Sequence, residues 1–187
     1  MAMVNSGLAT AAVVALQLFV VLSTIDGLYV HLWKLGLHRR PASYREHLWH
    51  TARALLFAPV VAIVFAMPSA GPLLWLGVGL ALADQVAGIA DALSERDSRA
   101  DLGGLGRGEY ALHVALVAVH ATALTLALAA RPTAAWSPSA PTTLGAWPAV
   151  DLLVAGPLLG GLAVAALHVA LAWRHRPTFG CCAVGAA

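Results

Sequence analysis

Charged residues are scarce in this chain of 187 residues, and their scarcity excludes an ordinary soluble domain. Only 11% of the residues are charged, whereas 60% are hydrophobic and the mean hydropathy is +0.79. Soluble globular domains carry about 25% charged residues, so this chain has less than half the charge of a typical water-exposed protein. The formal net charge of +2 is too small to favour nucleic-acid binding. We therefore expect a membrane protein whose main partner is the lipid bilayer, with no nucleic-acid partner.

Cysteine is almost absent, which excludes a disulfide framework. The two cysteines, Cys181 and Cys182, are adjacent near the C-terminus, whereas a disulfide framework needs several spaced cysteines. They follow the last apolar stretch at a short distance. The pair could carry a palmitoyl group, relay a soft metal ion or have no role, and the sequence leaves these alternatives open.

Five apolar stretches dominate the sequence, at 8–33, 50–67, 71–93, 110–130 and 150–173. Each is about as long as the 20 residues that a helix needs to cross the hydrocarbon core of a bilayer. The first stretch lacks a preceding Lys or Arg and is longer than a secretory signal, so we expect it to be retained. The sequence predicts an all-α integral membrane bundle of five transmembrane helices, as a single domain over 1–176 with a flexible cytoplasmic tail over 177–187.

Basic residues lie almost entirely on one side of the predicted spans. Ten of the eleven lysines and arginines belong to the connections between spans one and two and spans three and four, or to the C-terminal tail; Arg131 alone lies on the other side. Because basic residues concentrate on the cytoplasmic side, we expect an outside N-terminus and a cytoplasmic C-terminus, in a bacterial inner membrane. Only an odd number of spans gives this result.

Carboxylates and histidines gather in the half of the spans that is expected to be cytoplasmic. Charged side chains inside a bilayer are costly and commonly functional. Six of the nine acidic residues lie inside a span or near its end: Asp26, Glu46, Asp84, Asp91, Glu95 and Glu109. Four histidines share this half: His47, His50, His113 and His120.

Helical spacing aligns these residues into stripes, because successive residues of an α-helix advance by about 100°. Span three carries a stripe at positions i, i+7 and i+11, formed by Asp84, Asp91 and Glu95. Span four carries one at i, i+4 and i+11, formed by Glu109, His113 and His120. Depth along antiparallel helices predicts that His113 faces Asp91 and that His120 faces Asp84. We expect spans one to four to surround this Asp/Glu/His core, with span five outside it.

A metal centre would explain the crowding of acids. Six carboxylates in a low dielectric repel one another unless cations neutralise them, and carboxylate with imidazole suits iron, manganese or zinc. We expect two or more divalent ions, with iron favoured. The candidate ligands are Asp26, Glu46, His47, His50, Asp84, Asp91, Glu95, Glu109, His113 and His120. The candidate groups around these ligands are Tyr29, Arg53 and Arg99.

Four other histidines are expected at the membrane surface instead. His31 lies about 140° around an α-helix from Asp26, which predicts a headgroup position for it. His38 follows on the same face, seven residues later. His168 and His175, at the end of span five, are also placed preferentially at the interface.

The favoured function is a di-iron-type membrane oxidoreductase that acts on an apolar or lipid-like substrate and would need a redox partner. A di-zinc hydrolase could use the same ligands. Alternatives are a haem-binding electron-transfer subunit, a metal or proton transporter, or interhelical hydrogen bonds and salt bridges that stabilise the bundle. The Glu-x-x-His spacing of ferritin-like di-metal bundles is not matched, since Glu46 and His50, like Glu109 and His113, are four residues apart.

Overall fold

Five long helices form most of the computed structural model, which describes residues 5–142 and 151–177. The α-helices are α1 Ser6–Thr24, α2 Tyr44–Val60, α3 Gly71–Ser98, α4 Arg107–Ala129 and α5 Asp151–Arg174. Helices α1 and α2 continue directly into π-helical segments, Ile25–Lys34 and Val61–Ala66. The prediction of an all-helical chain with five helices long and apolar enough to span a membrane is confirmed. Cys181 and Cys182, with the predicted tail from residue 178 onward, lie outside the described residues.

The helices pack in two layers. One layer is the pair α1 and α4, and the other has α2 between α3 and α5. The backbone N–H of Asn5 donates to the carbonyl of Ala130 over 3.1 Å, which joins the start of α1 to the end of α4. Helices α1 and α4 are therefore antiparallel neighbours. The arginine-rich opposite end, formed by 35–43, 99–106 and 175–177, is called the basic end below.

Small residues hold the helices close together in the half of the bundle away from the basic end. Ala12, Ala81 and Ala127 are buried in one core cluster with larger apolar side chains. On α3, a Cβ atom added at Gly77 would lie 2.7 Å from Cγ2 of Ile63. Because small residues allow backbones to approach closely in membrane bundles, the helices pack closely in this half.

The π-helical end of the first span decides which residues face the interior. Its hydrogen bonds run from residue i to i+5, as in the 2.9 Å bond from the N–H of Leu35 to the carbonyl of Val30. Residues five apart therefore approach the same face. Asp26 and His31 are both buried there, so the expectation that His31 lies at the headgroups, which assumed an α-helix, is wrong.

The two largest differences between the helix boundaries and the hydropathy prediction both extend helices toward the basic end. Helix α2 begins at Tyr44, after a short 3-10 turn at Pro41–Ser43, and α3 continues to Ser98. The added turns contain polar residues that lower the local hydropathy. As a result, Glu46, His47 and Glu95 lie on regular helix.

Candidate metal centre

The ends of four helical spans bring six carboxylates together near the basic end. The side chains of Asp26, Glu46, Asp84, Asp91 and Glu95 are buried, and Glu109 is partly buried. All six belong to the candidate ligands predicted from the sequence. Asp84 and His120, expected to face the interior, are each 3% exposed.

One group of three candidate ligands joins the first and fourth spans. Asp26, His31 and His113 each offer an atom, and these atoms all lie within 4.8 Å of one another. Nε2 of His113 is 3.0 Å from Oδ1 of Asp26, and Nε2 of His31 is 3.5 Å from the same oxygen. On its other side, Nδ1 of His113 lies 3.0 Å from Oε1 of Glu95. His113 therefore meets Glu95, one turn nearer the basic end than the expected Asp91.

A second group of three shares His31 with the first. His31, Glu46 and His50 also offer atoms within 4.8 Å of one another. The rings of His31 and His50 meet edge to face with centroids 4.4 Å apart. Nε2 of His50 is 3.8 Å from Oε1 of Glu46 and 3.4 Å from Oδ2 of Asp91. The two groups therefore form one continuous cluster centred on His31, which we call the metal cluster.

Several nitrogens in the metal cluster lack hydrogen bonds. Within the described part of the chain, neither nitrogen of His31 is hydrogen-bonded, and Nε2 of His50 is likewise unpartnered. Buried polar atoms are nearly always satisfied, so each exception calls for an explanation such as an ion or a water. Unpaired imidazole nitrogens beside carboxylate oxygens are the donor set that a divalent first-row metal takes.

Arg99 neutralises two of the acids. Its guanidinium is 1% exposed and donates to both carboxylate oxygens of Glu46, over 2.6 and 2.9 Å, and to Oε1 of Glu109, over 2.6 and 3.1 Å. Burial alone would lower the pKa of Arg99, but the hydrogen bonds to Glu46 and Glu109 raise it above its ordinary value. Arg99 is therefore a permanent cation that also fixes the orientation of Glu46.

A separate polar layer lies deeper in the bundle. Nδ1 of His120 is 3.3 Å from Oδ2 of Asp84 and 3.1 Å from Nε2 of Gln85, and the His120 ring stacks on Phe19 at 4.2 Å. Arg53 connects this layer to the metal cluster, since its Nε is 3.4 Å from Asp84 and its Nη1 is 3.7 Å from Asp91. Asp84 and His120 already partner each other and stand apart from both groups of three.

Besides Asp84 and His120, two more predicted residues lie away from the metal cluster, and two unpredicted ones lie at it. Tyr29 is 51% exposed and packs on Trp33, and His47 faces other histidines. His31 joins both groups, whereas His168 on α5 is buried with its ring centroid 6.3 Å from that of His50. An Asp-x4-His spacing on a π-helix would have been the signal for His31.

The sequence led us to expect α5 outside the site. In the structure α5 borders the site. A Cβ atom at Gly161 would lie 2.6 Å from Cδ1 of Phe57 on α2. This close approach brings α5 against α2, and it places His168 beside the metal cluster. Span five therefore contributes a wall.

A cavity of about 400 Å³ lies between α1, α2 and α5. Its apolar wall includes Phe19, Val20, Leu28, Phe57, Leu116 and Val164, and its charged or titratable lining residues are Asp26, His50, Arg53, Asp84 and His168. Thr24 on α1 and Gly160 on α5 line it and are exposed. The cavity therefore opens sideways between the first and fifth spans, on the surface that a bilayer would cover.

The metal cluster and the adjoining layer of Asp84 and His120 together carry a strongly negative formal charge. Six carboxylates face two arginines, Arg53 and Arg99, which leaves a charge of −4 when the histidines are neutral. Two divalent cations would balance this charge, and so would protonation of four histidines.

Comparison with protein-family models, with curated proteins and with solved structures found no match for this chain.

Proposed function

We propose that the chain is a membrane metalloprotein that holds two divalent first-row metal ions and oxidises an apolar or lipid-like substrate, with a separate redox partner as the electron acceptor. The observation that carries the proposal is the position of Asp26 and His50. Each belongs to a different group of candidate ligands, and both line the same laterally open cavity. A metal held by either group would therefore sit at the end of a largely apolar chamber.

Two ions fit the metal cluster better than one. His31 belongs to both groups, and neither of its two nitrogens is hydrogen-bonded to a described residue. One divalent ion would leave half of the formal charge of −4 in a low-dielectric interior, which is unfavourable. The carboxylate and imidazole set, with no thiolate in either group, suits iron, manganese or zinc, and iron is the ion that we propose first.

The cavity favours oxidation over hydrolysis. A hydrolytic substrate presents a polar ester, amide or phosphate group, which requires hydrogen-bonding partners in the chamber. Here the polar groups lie mainly at the metal cluster and Arg53, and the remaining wall is mostly apolar. A hydrocarbon chain fits such a wall, and the chemistry that a hydrocarbon offers to a redox metal is oxidation.

Access from the membrane follows from the opening between α1 and α5. An apolar molecule dissolved in the bilayer could enter there without crossing water. We propose that the basic end is cytoplasmic, because ten of the eleven basic residues lie in the connections on that side or in the adjoining half of the helices, and basic residues concentrate on the cytoplasmic side. The metal cluster would then lie in the cytoplasmic half of the membrane.

Metal content is the decisive test. Purified protein should contain two first-row metal ions per chain by elemental analysis, and His113→Gln should lose metal and melt at a lower temperature, because Gln keeps hydrogen bonding but is a poor metal ligand. His120→Gln is the matched control, since it changes a buried histidine of the same helix whose partners are Asp84 and Gln85. It should keep both ions.

The contrary result is equally clear. If His113→Gln retains full metal content and an unchanged melting temperature, or if the wild-type protein binds no metal, the cluster is a structural network of ion pairs with protonated histidines. A Soret band in the visible spectrum would instead indicate haem.

A further inference from the structure

A second recess, which we call the surface groove, lies between α2 and α5 near the basic end. It has a volume of about 250 Å³ and is lined by Tyr44, Thr51, Val169, Ala172, Trp173 and Arg176. None of these six residues lines the cavity beside the metal cluster. Thr51 lies seven residues after Tyr44 on α2, so the surface groove extends about 10 Å along that helix. It is therefore a site apart from the one proposed for the substrate.

The helical part of the surface groove is apolar, or its polar groups already have partners. Val169 and Ala172 contribute aliphatic side chains, and Trp173 is 70% exposed on the surface that a bilayer would cover. The hydroxyl of Thr51 donates to a carbonyl of its own helix over 2.8 Å, and that of Tyr44 donates to the carbonyl of Ala172 over 3.2 Å. Because both hydroxyl protons are used, this part suits an acyl chain better than a polar molecule.

Arg176 supplies a cation where the surface groove reaches the basic end. It is exposed, two residues after the last residue of α5, and its guanidinium carbon lies 4.2 Å from the centroid of the Trp173 ring. Within the described part of the chain Arg176 takes no part in an ion pair, and the arginines that do are Arg40, Arg53 and Arg99. Stacking on the ring holds the guanidinium in place and leaves its N–H groups free to donate in pairs to a phosphate.

The surface around Arg176 has an excess of positive charge. Among the described residues, those at this end that are exposed and basic are Lys34, Arg39, Arg45, Arg96, Arg107, Arg174 and Arg176. The exposed acidic residues at the same end are Asp97 and Asp101. Positive charge beside a bilayer attracts anionic lipids, and basic pockets between membrane helices bind their headgroups. The surface groove therefore combines an apolar part that faces lipid with a cation at the level of the headgroups.

We propose that the surface groove binds an anionic phospholipid, with its phosphate on Arg176 and the first part of one acyl chain along Val169 and Trp173. The phosphate lies at the basic end, where it stays in contact with water. The acyl chain continues into the bilayer beside α2 and α5, so that no polar group of the lipid is buried without a partner. This site uses neither the metal ions nor the oxidation proposed above.

Lipid binding to the full-length protein in detergent, followed by native mass spectrometry, tests the proposal. Phosphatidylglycerol should bind more tightly than phosphatidylcholine, which has no net negative charge. Arg176→Gln should weaken phosphatidylglycerol binding by about fivefold, the contribution of one basic residue near an anionic lipid surface. Arg176→Lys should recover part of the loss, because it keeps the charge but not the planar fork. Arg174→Gln is the matched control, since it removes an exposed charge outside the groove, and should change binding by less than about twofold because exposed charges are screened.

Competition and crosslinking identify the occupant. Glycerol phosphate, which has no acyl chain, should not displace phosphatidylglycerol, and displacement at equal concentration would mean a site for soluble phosphates instead. A photo-crosslinking amino acid in place of Val169 should capture phosphatidylglycerol.

Capture of residues 178–187 instead of lipid would show that the C-terminal tail fills the groove, and this would overturn the proposal. Equal binding of phosphatidylglycerol by Arg176→Gln and Arg174→Gln would also overturn it, because the lipid would then be held only by the general charge of the basic end. Arg176→Gln should keep the metal content of the wild type. A failure of this proposal is therefore distinguishable from a failure of the proposed oxidoreductase, which the metal content of His113→Gln decides.

Discussion

Nε2 of His31 lies 3.5 Å from Oδ1 of Asp26, five residues earlier in the same membrane-length helix. The π-helical geometry of Ile25–Lys34 is what brings the two side chains together. On a regular α-helix, residues five apart point about 140° away from each other. The contact therefore depends on backbone geometry as well as on residue identity.

Inserting or deleting one residue between Asp26 and His31 should test whether their contact depends on the π-helical geometry. Inserting one alanine after Leu28 separates Asp26 and His31 by six residues and should abolish metal binding. Deleting Gly27 leaves them four apart, which is the same face of an α-helix, and should preserve it. Metal stoichiometry measures both variants, and loss of metal from the deletion alone would contradict the geometric explanation.

Arg99 should be essential for stability. Arg99→Met leaves Glu46 and Glu109 without their buried cation and should lower the free energy of unfolding by about 3–5 kcal/mol. Arg99→Lys keeps the charge but not the planar fork that contacts both carboxylates, so it should recover only part of the loss. Arg96→Met, on the exposed face of α3, is the control and should change stability by less than about 0.5 kcal/mol. Denaturant unfolding in detergent measures all three, and equal effects at 96 and 99 would refute the prediction.

The cavity opening can be blocked at Gly160. A Cβ atom at Gly160 or at Gly156 meets no atom within 4 Å, but only Gly160 lines the cavity. Gly160→Phe should therefore obstruct the opening, and Gly156→Phe should not. A spin-labelled fatty acid should show an immobilised fraction with the wild type and with Gly156→Phe, and lose most of it with Gly160→Phe. Equal binding by all three proteins would show that the cavity is not the lipid site.

Close packing of α3 on the π-helical end of the second span should make Gly77 intolerant of substitution. Gly77→Ala places a Cβ atom 2.7 Å from Ile63, and such overpacking costs about 1–3 kcal/mol. Gly79→Ala, two residues later and in open space, should cause no loss. Melting temperatures in detergent compare the two, and a stable Gly77→Ala protein would mean that the helices separate easily.

Orientation can be read by labelling single cysteines after replacing Cys181 and Cys182 with serine. Ser139 and Arg107 are both exposed, at opposite ends of the bundle. A membrane-impermeant maleimide applied to intact cells should label Ser139→Cys, whereas Arg107→Cys should react only after permeabilisation. The reverse pattern would place the basic end outside, against the positive-inside rule.

The number of helices could be predicted from the sequence because apolar runs of membrane length have few other stable solutions. The burial of Asp84 and Asp91 could be predicted as well, since a carboxylate within an apolar span must turn away from lipid. The start of α2 at Tyr44 could not be predicted from hydropathy, because helix residues that extend into water beyond the hydrocarbon core are not apolar.

The composition of the candidate site was less accessible to prediction. Placing residues at 100° intervals assumes an α-helix, and the apolar sequence around Gly27 carries no local mark of the π-helical turn, so His31 was assigned to the wrong face. His168 was misplaced for another reason. Its position near a span end is typical of an interfacial residue, but α5 packs closely against α2 at Gly161 and Phe57, and His168 is buried.

Arg131 bonds to the backbone at the end of the bundle opposite the basic end. It donates to the carbonyls of Val64 and Met67 over 2.6 and 2.9 Å, where the second π-helical segment leaves carbonyl groups free. Burial lowers its pKa from the ordinary value. The single basic residue on that side thus donates to backbone carbonyl groups at the end of the second span.

A π-helical turn is related to an α-helical one by a single additional residue, so one inserted codon separates the two forms of the first span. Genes that encode Asp-x3-His on a regular helix and Asp-x4-His on a π-helix would specify the same pairing of side chains. A pattern search that fixes one spacing would therefore miss the sequences that use the other. Relatives of this chain are better sought with both spacings in the first span, together with Glu-x3-His at the positions of Glu46 and His50 and of Glu109 and His113.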